Sequence, residues 1–177
     1  MSFTARHAFR LPPAPPVRCS ECGFGLWVPL FPMSVSNVGF YDDSRFPGRL
    51  ILSLEEHFEH IEDVPEDLAN LFMRDIQQLA RDMRTALTVD RVNVAILGNQ
   101  EPHVHAHLIP RSPSAEPLPN KSPWNDPRPK NQLPENERLE LISSLTTRLL
   151  RTRPATAATT FSGLGAGAVR APSTNRW

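Results

Sequence analysis

The run His103-Val-His105-Ala-His107-Leu-Ile alternates imidazoles with apolar side chains at a period of two. That period constrains the fold more than any other feature of the chain. On a β-strand, neighbours point to opposite faces and residues two apart share one. The run therefore requires a sheet whose apolar face takes Val104, Ala106 and Leu108. The other face carries His103, His105 and His107, half of the six histidines in the sequence.

The neighbouring segments supply the rest of such a sheet. "VSNVGFYDD" and "RLILSL" have strand composition and are separated by the turn "SRFPG", and "RVNVAIL" leads through "GNQEP" into the histidine run. From Pro65 to about Leu87 the period changes. Leu68, Phe72, Ile76, Leu79, Met83 and Leu87 recur at three- and four-residue spacing, which predicts one buried helix face. Pro65, Glu66 and Asp67 make a good helix start. A second helix is expected from Pro134 to about Arg151, burying Leu139, Ile142, Leu145 and Leu149. Between the run and that helix, residues 112–133 carry six prolines and no clear period. Trp124, Lys121 and Arg128 in this segment either line a site or cap it.

Length and charge narrow the function. One domain with a self-sufficient core fits 177 residues. Nineteen basic and nineteen acidic residues balance, which points away from nucleic acid or an anionic membrane as partner. The apolar runs fall short of the ~18 residues a membrane span needs, and the N-terminus lacks the apolar core of a secretory signal. A cytoplasmic protein is expected. Pro12, Pro13, Pro15 and Pro16 favour extended polyproline, so residues 1–16 are expected to form a disordered arm. Residues 152–177, rich in Ala, Thr and Gly without an acidic residue, are expected to form a disordered tail. The folded domain is then 17–151.

The only cysteines are Cys19 and Cys22. In a reducing compartment a disulfide framework is disfavoured, leaving metal binding, redox chemistry or chance. Redox is the weakest of these, since no strand precedes the pair and no helix opens at it.

The three imidazoles admit several readings. A solvated strand face usually carries Thr, Lys or Ser instead. A single metal held by all three is strained, because the outer pair start roughly 13 Å apart along a strand while each nitrogen must come within about 2.1 Å of the ion. A phosphate-transfer surface suits the chemistry better. Imidazole titrates near neutrality, so adjacent rings can act as nucleophile and as proton donor.

His103-Val-His105-Ala-His107-Leu-Ile resembles the His-x-His-x-His signature, with apolar x, of the histidine triad (HIT) family. "YDDSRFPGRLILSLEEHFEHIEDVPEDLANLF" resembles the family's stretch from a ribose-binding Asp to the central helix. "LGNQEPHVHAHLIPR" is similar to short-looped bacterial members, some of them diadenosine tetraphosphate hydrolase-like. The resemblance spans roughly residues 17–150. It implies an α+β fold with an antiparallel sheet of about five strands, a central helix and a C-terminal helix, and it implies a homodimer with sheets continued across the interface. It implies that His105 attacks the α-phosphorus of a nucleotide to form a nucleotidyl-histidine. His107 would hydrogen-bond the phosphate and help the leaving group depart. Asp42, with Asp43 as the adjacent alternative, would hold the ribose, and Asn99 and Gln100 would hold phosphate. The last pair sits in a loop shorter than in many members, where Gly98-Asn99 is also simple turn chemistry. Ala106 replaces a Trp common in short-looped relatives and keeps the face apolar. Zinc-containing members bind the ion through positions matching Cys19, Cys22, His57 and His103, a closed structural set; His60 is the fallback for His57.

The resemblance thus implies a nucleotidyl hydrolase or transferase that cleaves a phosphoanhydride or phosphoramidate and needs no catalytic metal. One rival is a purine-nucleotide-binding module with a structural zinc site and no turnover, which could dispense with the middle histidine. The other is a zinc hydrolase, which would need an open coordination position that four protein ligands deny.

Overall fold

The computed structural model describes residues 17–151. The expected arm, 1–16, and tail, 152–177, lie outside the described residues. The period-two run becomes β5 (His105–Arg111), lying between β3 (Leu50–Leu54) and β4 (Arg91–Ile96). Beyond β3 come β2 (Ser36–Phe40) and, at the far edge, β1 (Val28–Pro32), so the order is β1-β2-β3-β5-β4. Every pairing is antiparallel. With the helices α1 (Glu66–Leu87) and α2 (Glu135–Arg151) this is the α+β architecture that the sequence implied.

Two features depart from the sequence reading. β1 contains Pro29 and Pro32, which obscure it as a strand; it survives because an edge strand need not donate every ladder bond, and its register shifts between Pro29 and Phe31. His103 lies outside β5. Its backbone N–H donates to Glu101 O at 2.8 Å, while Val104 N–H donates to Phe58 O and Val104 O accepts from Leu54 N–H. The chain thus bends into the strand at Val104 and frees the first imidazole to turn elsewhere.

The apolar face is the expected one. Val38, Phe40, Leu50, Leu52, Leu54, Val104, Ala106 and Leu108 pack with Phe72, Ile76, Leu79 and Met83 of α1. Each of these side chains other than Ala106 contributes about 1.5–3 kcal/mol on burial. Leu68 and Leu87, at the ends of the helical stripe, are only partly buried. Asp75 sits on the buried face of α1 and accepts from the Ser34 and Ser36 hydroxyls, at 2.6 Å each, and from Ser34 and Val35 N–H, which satisfies it there and pins the β1–β2 turn. From α2, Leu145 and Leu149 enter the core, but Leu139 is 48% exposed. The buried residues of α2 are Leu145, Thr146 and Leu149, so the core meets the second half of the helix and Leu139 lies before it.

Residues 17–26 fold over the opposite, histidine-bearing face. Cys19 N–H donates to Phe24 O at 2.8 Å and Gly23 N–H to Cys19 O at 3.0 Å, a tight turn that needs Gly23 at φ 76. Leu26 then presses on β2 at Gly39, where a Cβ would stand 2.9 Å from Leu26 Cδ2. Among the described residues no helix is long and apolar enough to cross a membrane.

Candidate active site and metal cluster

All three histidines are buried, His103 and His105 at 2% exposure and His107 at 4%. They are not a solvated face. Each ring meets a different partner, and the partner fixes where its proton sits.

His103 Nε2 lies 2.9 Å from Leu54 O. A carbonyl only accepts, so Nε2 carries the hydrogen and Nδ1 keeps its lone pair. That Nδ1 faces Cys22 Sγ at 3.6 Å and His57 Nδ1 at 3.4 Å, while Cys19 Sγ lies 3.5 Å from His57 Nδ1. The ligand atoms of Cys19, Cys22, His57 and His103 all lie within 4.8 Å of one another. A tetrahedral zinc with Zn–S of about 2.3 Å and Zn–N of about 2.05 Å places nitrogens about 3.4 Å apart and sulfur about 3.5 Å from nitrogen. The Cys19–His57, Cys22–His103 and His57–His103 separations match, so the cluster can hold such an ion. Burial pushes the Cys22 thiol up from its ordinary value, with Cys19 beside it raising it further. A divalent cation reverses that balance by favouring thiolates. His60 is not in the cluster; it lines a small cleft with Glu59, Ile61, Leu97, Gly98 and His105.

His105 is turned the other way round. Its Nδ1 lies 2.7 Å from His103 O, so Nδ1 is the donor and the Nε2 lone pair is bare. Burial holds this ring below the usual imidazole range, although the carbonyl bond pulls it back up. It is therefore neutral near pH 7, with one nitrogen ready to attack.

His107 accepts where His105 donates. Arg49 Nη2 stands 3.0 Å from His107 Nδ1. A guanidinium has no acceptor, so Nδ1 must offer its lone pair and Nε2 keeps the hydrogen. Burial, then the Arg49 charge, His105 and Lys130, lower His107 to about 3. Arg49 is itself held from behind by Asp43, Nη1 to Oδ2 at 3.0 Å, and its guanidinium carbon lies 4.0 Å over the Tyr41 ring. Burial would raise the Asp43 carboxyl, but the Arg45 hydrogen bonds and the charges of Arg45 and Arg49 outweigh it and hold it low.

Asp42 is not part of this relay. Its carboxylate accepts from Leu133 N–H at 2.9 Å and from Arg138 Nη1 at 3.2 Å, bracing the approach to α2. Asn99 and Gln100 are exposed in the loop that continues from the cleft. Residues 112–133 cap the His107 end: Trp124 meets the His107 ring edge-on at 6.0 Å, and Lys130 Nζ donates to Tyr41 Oη at 2.5 Å. Arg128 bonds Asp126 and Arg45 O, and the Lys121 backbone carbonyl accepts from Arg111. Arg49 and Lys130 are functional candidates that sequence reasoning missed. Arg49 carried a signal, as a cation opening an otherwise apolar strand on the parity that faces the histidines.

The HIT domain profile matches residues 40–114, which contain all three imidazoles and the Arg49–Asp43 pair. Residues 40–114 are similar to a HIT domain. Solved histidine triad proteins share the fold of most of the described residues. The protein from Bradyrhizobium japonicum is 23% identical, with a TM-score of 0.61 over 69% of this chain and 90% of its own. The one from Marinobacter aquaeolei is 22% identical, with a TM-score of 0.61 over 70% and 88%. A zinc-bound histidine triad family protein from Mycobacterium smegmatis is 18% identical, with a TM-score of 0.54 over 70% and 84%. No functionally curated protein matches the chain.

Proposed function

We propose that this HIT domain is a nucleotidyl hydrolase or transferase that cleaves at the α-phosphate of a nucleotide through a covalent adduct on His105. The observation that carries the reading is the 2.7 Å bond from His105 Nδ1 to His103 O. It commits the proton to Nδ1 and aims an unprotonated Nε2 at substrate, which a nucleophilic imidazole needs. The Nε2 lone pair attacks phosphorus, a P–N bond forms, and the leaving group departs with the electrons of its own bond. Water then attacks phosphorus, the electron pair returns to Nε2, and the water proton passes to solvent. His107 Nε2–H and the Arg49 charge stabilise the phosphate oxygens in both steps. Asp42 is assigned to ribose, and Asn99 and Gln100 to phosphate.

Zinc is assigned to Cys19, Cys22, His57 and His103 on the donor separations and on the zinc-bound relative. With four protein ligands the ion is structural, supplies no bound water, and ties residues 17–26 to the start of β5. A homodimer is assigned to β4, whose outer edge has no strand partner among the described residues and whose Val94 is 43% exposed.

The deep burial of His105 favours one alternative, a nucleotide-binding module without turnover. Release of nucleoside monophosphate from diadenosine triphosphate, with mass spectrometry of acid-quenched protein for a nucleotidyl adduct, separates the two. His105→Ala should lose adduct and turnover by several orders of magnitude while keeping nucleotide affinity. Nucleotide binding by wild-type protein with neither product nor adduct selects the binding module.

A further inference from the structure

His107 is walled by fixed cations. Arg49 comes from the start of β3 and bonds its Nδ1, Lys130 comes from the segment before α2, and Tyr41 lies at the end of β2 beneath the Arg49 guanidinium. His105 shares the strand, and Asp43, the one carboxylate in direct contact with Arg49 among the described residues, bonds a different guanidinium nitrogen and is already bonded to Arg45. No acceptor is therefore placed to let Nδ1 become a donor. His107 can offer Nε2–H as a hydrogen bond, but giving that proton away would leave an imidazolate, because Arg49 does not surrender its own proton.

We infer that Arg49 determines which leaving groups the site can expel, favouring those that depart as stable oxyanions over those that must take up a proton. The inference rests on the nucleotidyl-transfer reading and sharpens its substrate class. When a phosphoanhydride is attacked, the P–O bond breaks and the phosphate leaves with the electron pair, needing hydrogen bonds and positive charge but no proton. When a phosphoramidate is attacked, the P–N bond breaks and the departing nitrogen must gain a proton to leave as an amine. An imidazolium at the third position would supply it; a neutral imidazole locked by a guanidinium does not. Arg49 brings a further element that suits an anion. Its Nε is buried without a hydrogen-bond partner, a donor that an entering phosphate oxygen can satisfy.

The test pairs turnover with a direct reading of the lock. Purified full-length protein is assayed on diadenosine triphosphate and on an alkylamine phosphoramidate of adenosine monophosphate. In parallel, nitrogen-15 NMR of histidine-labelled protein follows the His107 ring from pH 8 to 5. Expected for wild type is a kcat/KM ratio of about 10² or more in favour of the anhydride, with His107 neutral and protonated at Nε2 throughout. Arg49→Gln presents an amide that can accept as well as donate. It should let His107 titrate within that range, lower anhydride turnover, and shrink the ratio about tenfold or more, with phosphoramidate turnover rising toward acid. Arg49→Lys keeps a donor-only cation and should keep both the lock and the preference. Equal turnover of both compounds by wild type overturns the inference, as does a wild-type His107 that titrates near its ordinary value. An unchanged ratio in a folded Arg49→Gln protein overturns it too. If neither compound is turned over, nucleotidyl transfer fails and the preference falls with it, even where NMR finds the lock; if both are turned over and only the ratio is wrong, the transfer reading survives and the role of Arg49 does not.

Discussion

The two ends of the histidine row begin as the same side chain and end as opposite devices. At the His103 end, the free Nδ1 joins two sulfurs and a second imidazole, all supplied by turns that β5 does not contain. At the His107 end, the same atom is taken by a guanidinium anchored to a buried carboxylate. Between them His105 bonds back to the backbone of His103. The ring is not what differentiates the three positions. The group facing its second nitrogen decides whether an imidazole is a ligand, a nucleophile or a fixed donor.

The widest separation between the ends should come from removing metal. Structural zinc contributes its binding free energy to folding, so chelation or Cys19→Ser should lower the melting temperature sharply. Protein purified without chelator should carry about one zinc per chain by elemental analysis. Turnover by the fraction that remains folded should fall far less, and His103→Ala should behave like Cys19→Ser rather than like His105→Ala. Metal-free wild-type protein of full stability would return the cysteines to chance.

Next in size is the anchor at the other end. Asp43→Asn removes the counter-charge of a buried Arg49 and loosens Arg45. Breaking one side of a buried pair costs about 3–5 kcal/mol. Denaturant titration should find that loss with zinc content unchanged, whereas the cysteine variant loses zinc and stability together. A loss under about 1 kcal/mol, the range of a surface pair, would mean that solvent reaches Arg49.

These contrasts also mark what the sequence could say. The alternation of His103 to Leu108 specifies a strand and its buried face because the strand period is local. The spacing of Leu68 to Leu87 specifies α1 for the same reason. Cys19-x-x-Cys22 marks the near half of the cluster. Which of His57 and His60 completes it depends on how the chain bends after β3, and only the fold selects His57. Asp42 and Asp43 are adjacent and chemically alike, yet the loop after β2 brings Asp43 to Arg49 and Asp42 to Leu133 and Arg138. Trp124 and Lys130 sit in a segment without period, so nothing local says that it returns to His107. Leu139 fits the helical stripe and is nevertheless exposed, because periodicity reports a face and not where the core stops.

A smaller effect is expected in acid. His107 lies at about 3 in the folded protein, below its ordinary value of about 6.5 in an unfolded chain. Below pH 6.5 the unfolded chain takes up a proton that the folded one refuses. Stability conferred by this ring is therefore full above about pH 6.5, falls by up to about 1.4 kcal/mol per pH unit on acidification, and levels off below about pH 3. Chemical denaturation of wild type and His107→Gln between pH 7 and 5 isolates the contribution, since other groups titrate in both. Parallel stability curves for the two proteins would mean that His107 is protonated in the native state and that Arg49 does not hold it.

The smallest effect tests whether the two ends are separate at all. Phe24 lies in the turn that carries the cysteines, and its ring stacks on His103 at 4.9 Å and on His105 at 5.0 Å. Because it packs on both His103 and His105, disorder in the cysteine turn can reach His105 through it. Each aromatic pair contributes about 0.5–1.5 kcal/mol beyond the apolar area it covers. Phe24→Leu keeps an apolar cover and removes both stacked pairs, so its stability cost should be about 1–3 kcal/mol. The informative readout is the response to chelation. In wild type, withdrawing the ion should release Phe24 from the rings and lower turnover by the folded fraction modestly, severalfold rather than by orders of magnitude. In Phe24→Leu that residual sensitivity should disappear, because the contact that transmits it is already gone, while the chelation-induced drop in melting temperature should persist. Equal chelation sensitivity of turnover in both proteins would show that the metal reaches His105 through the His103 backbone instead, along the 2.7 Å bond that sets the tautomer of the nucleophile.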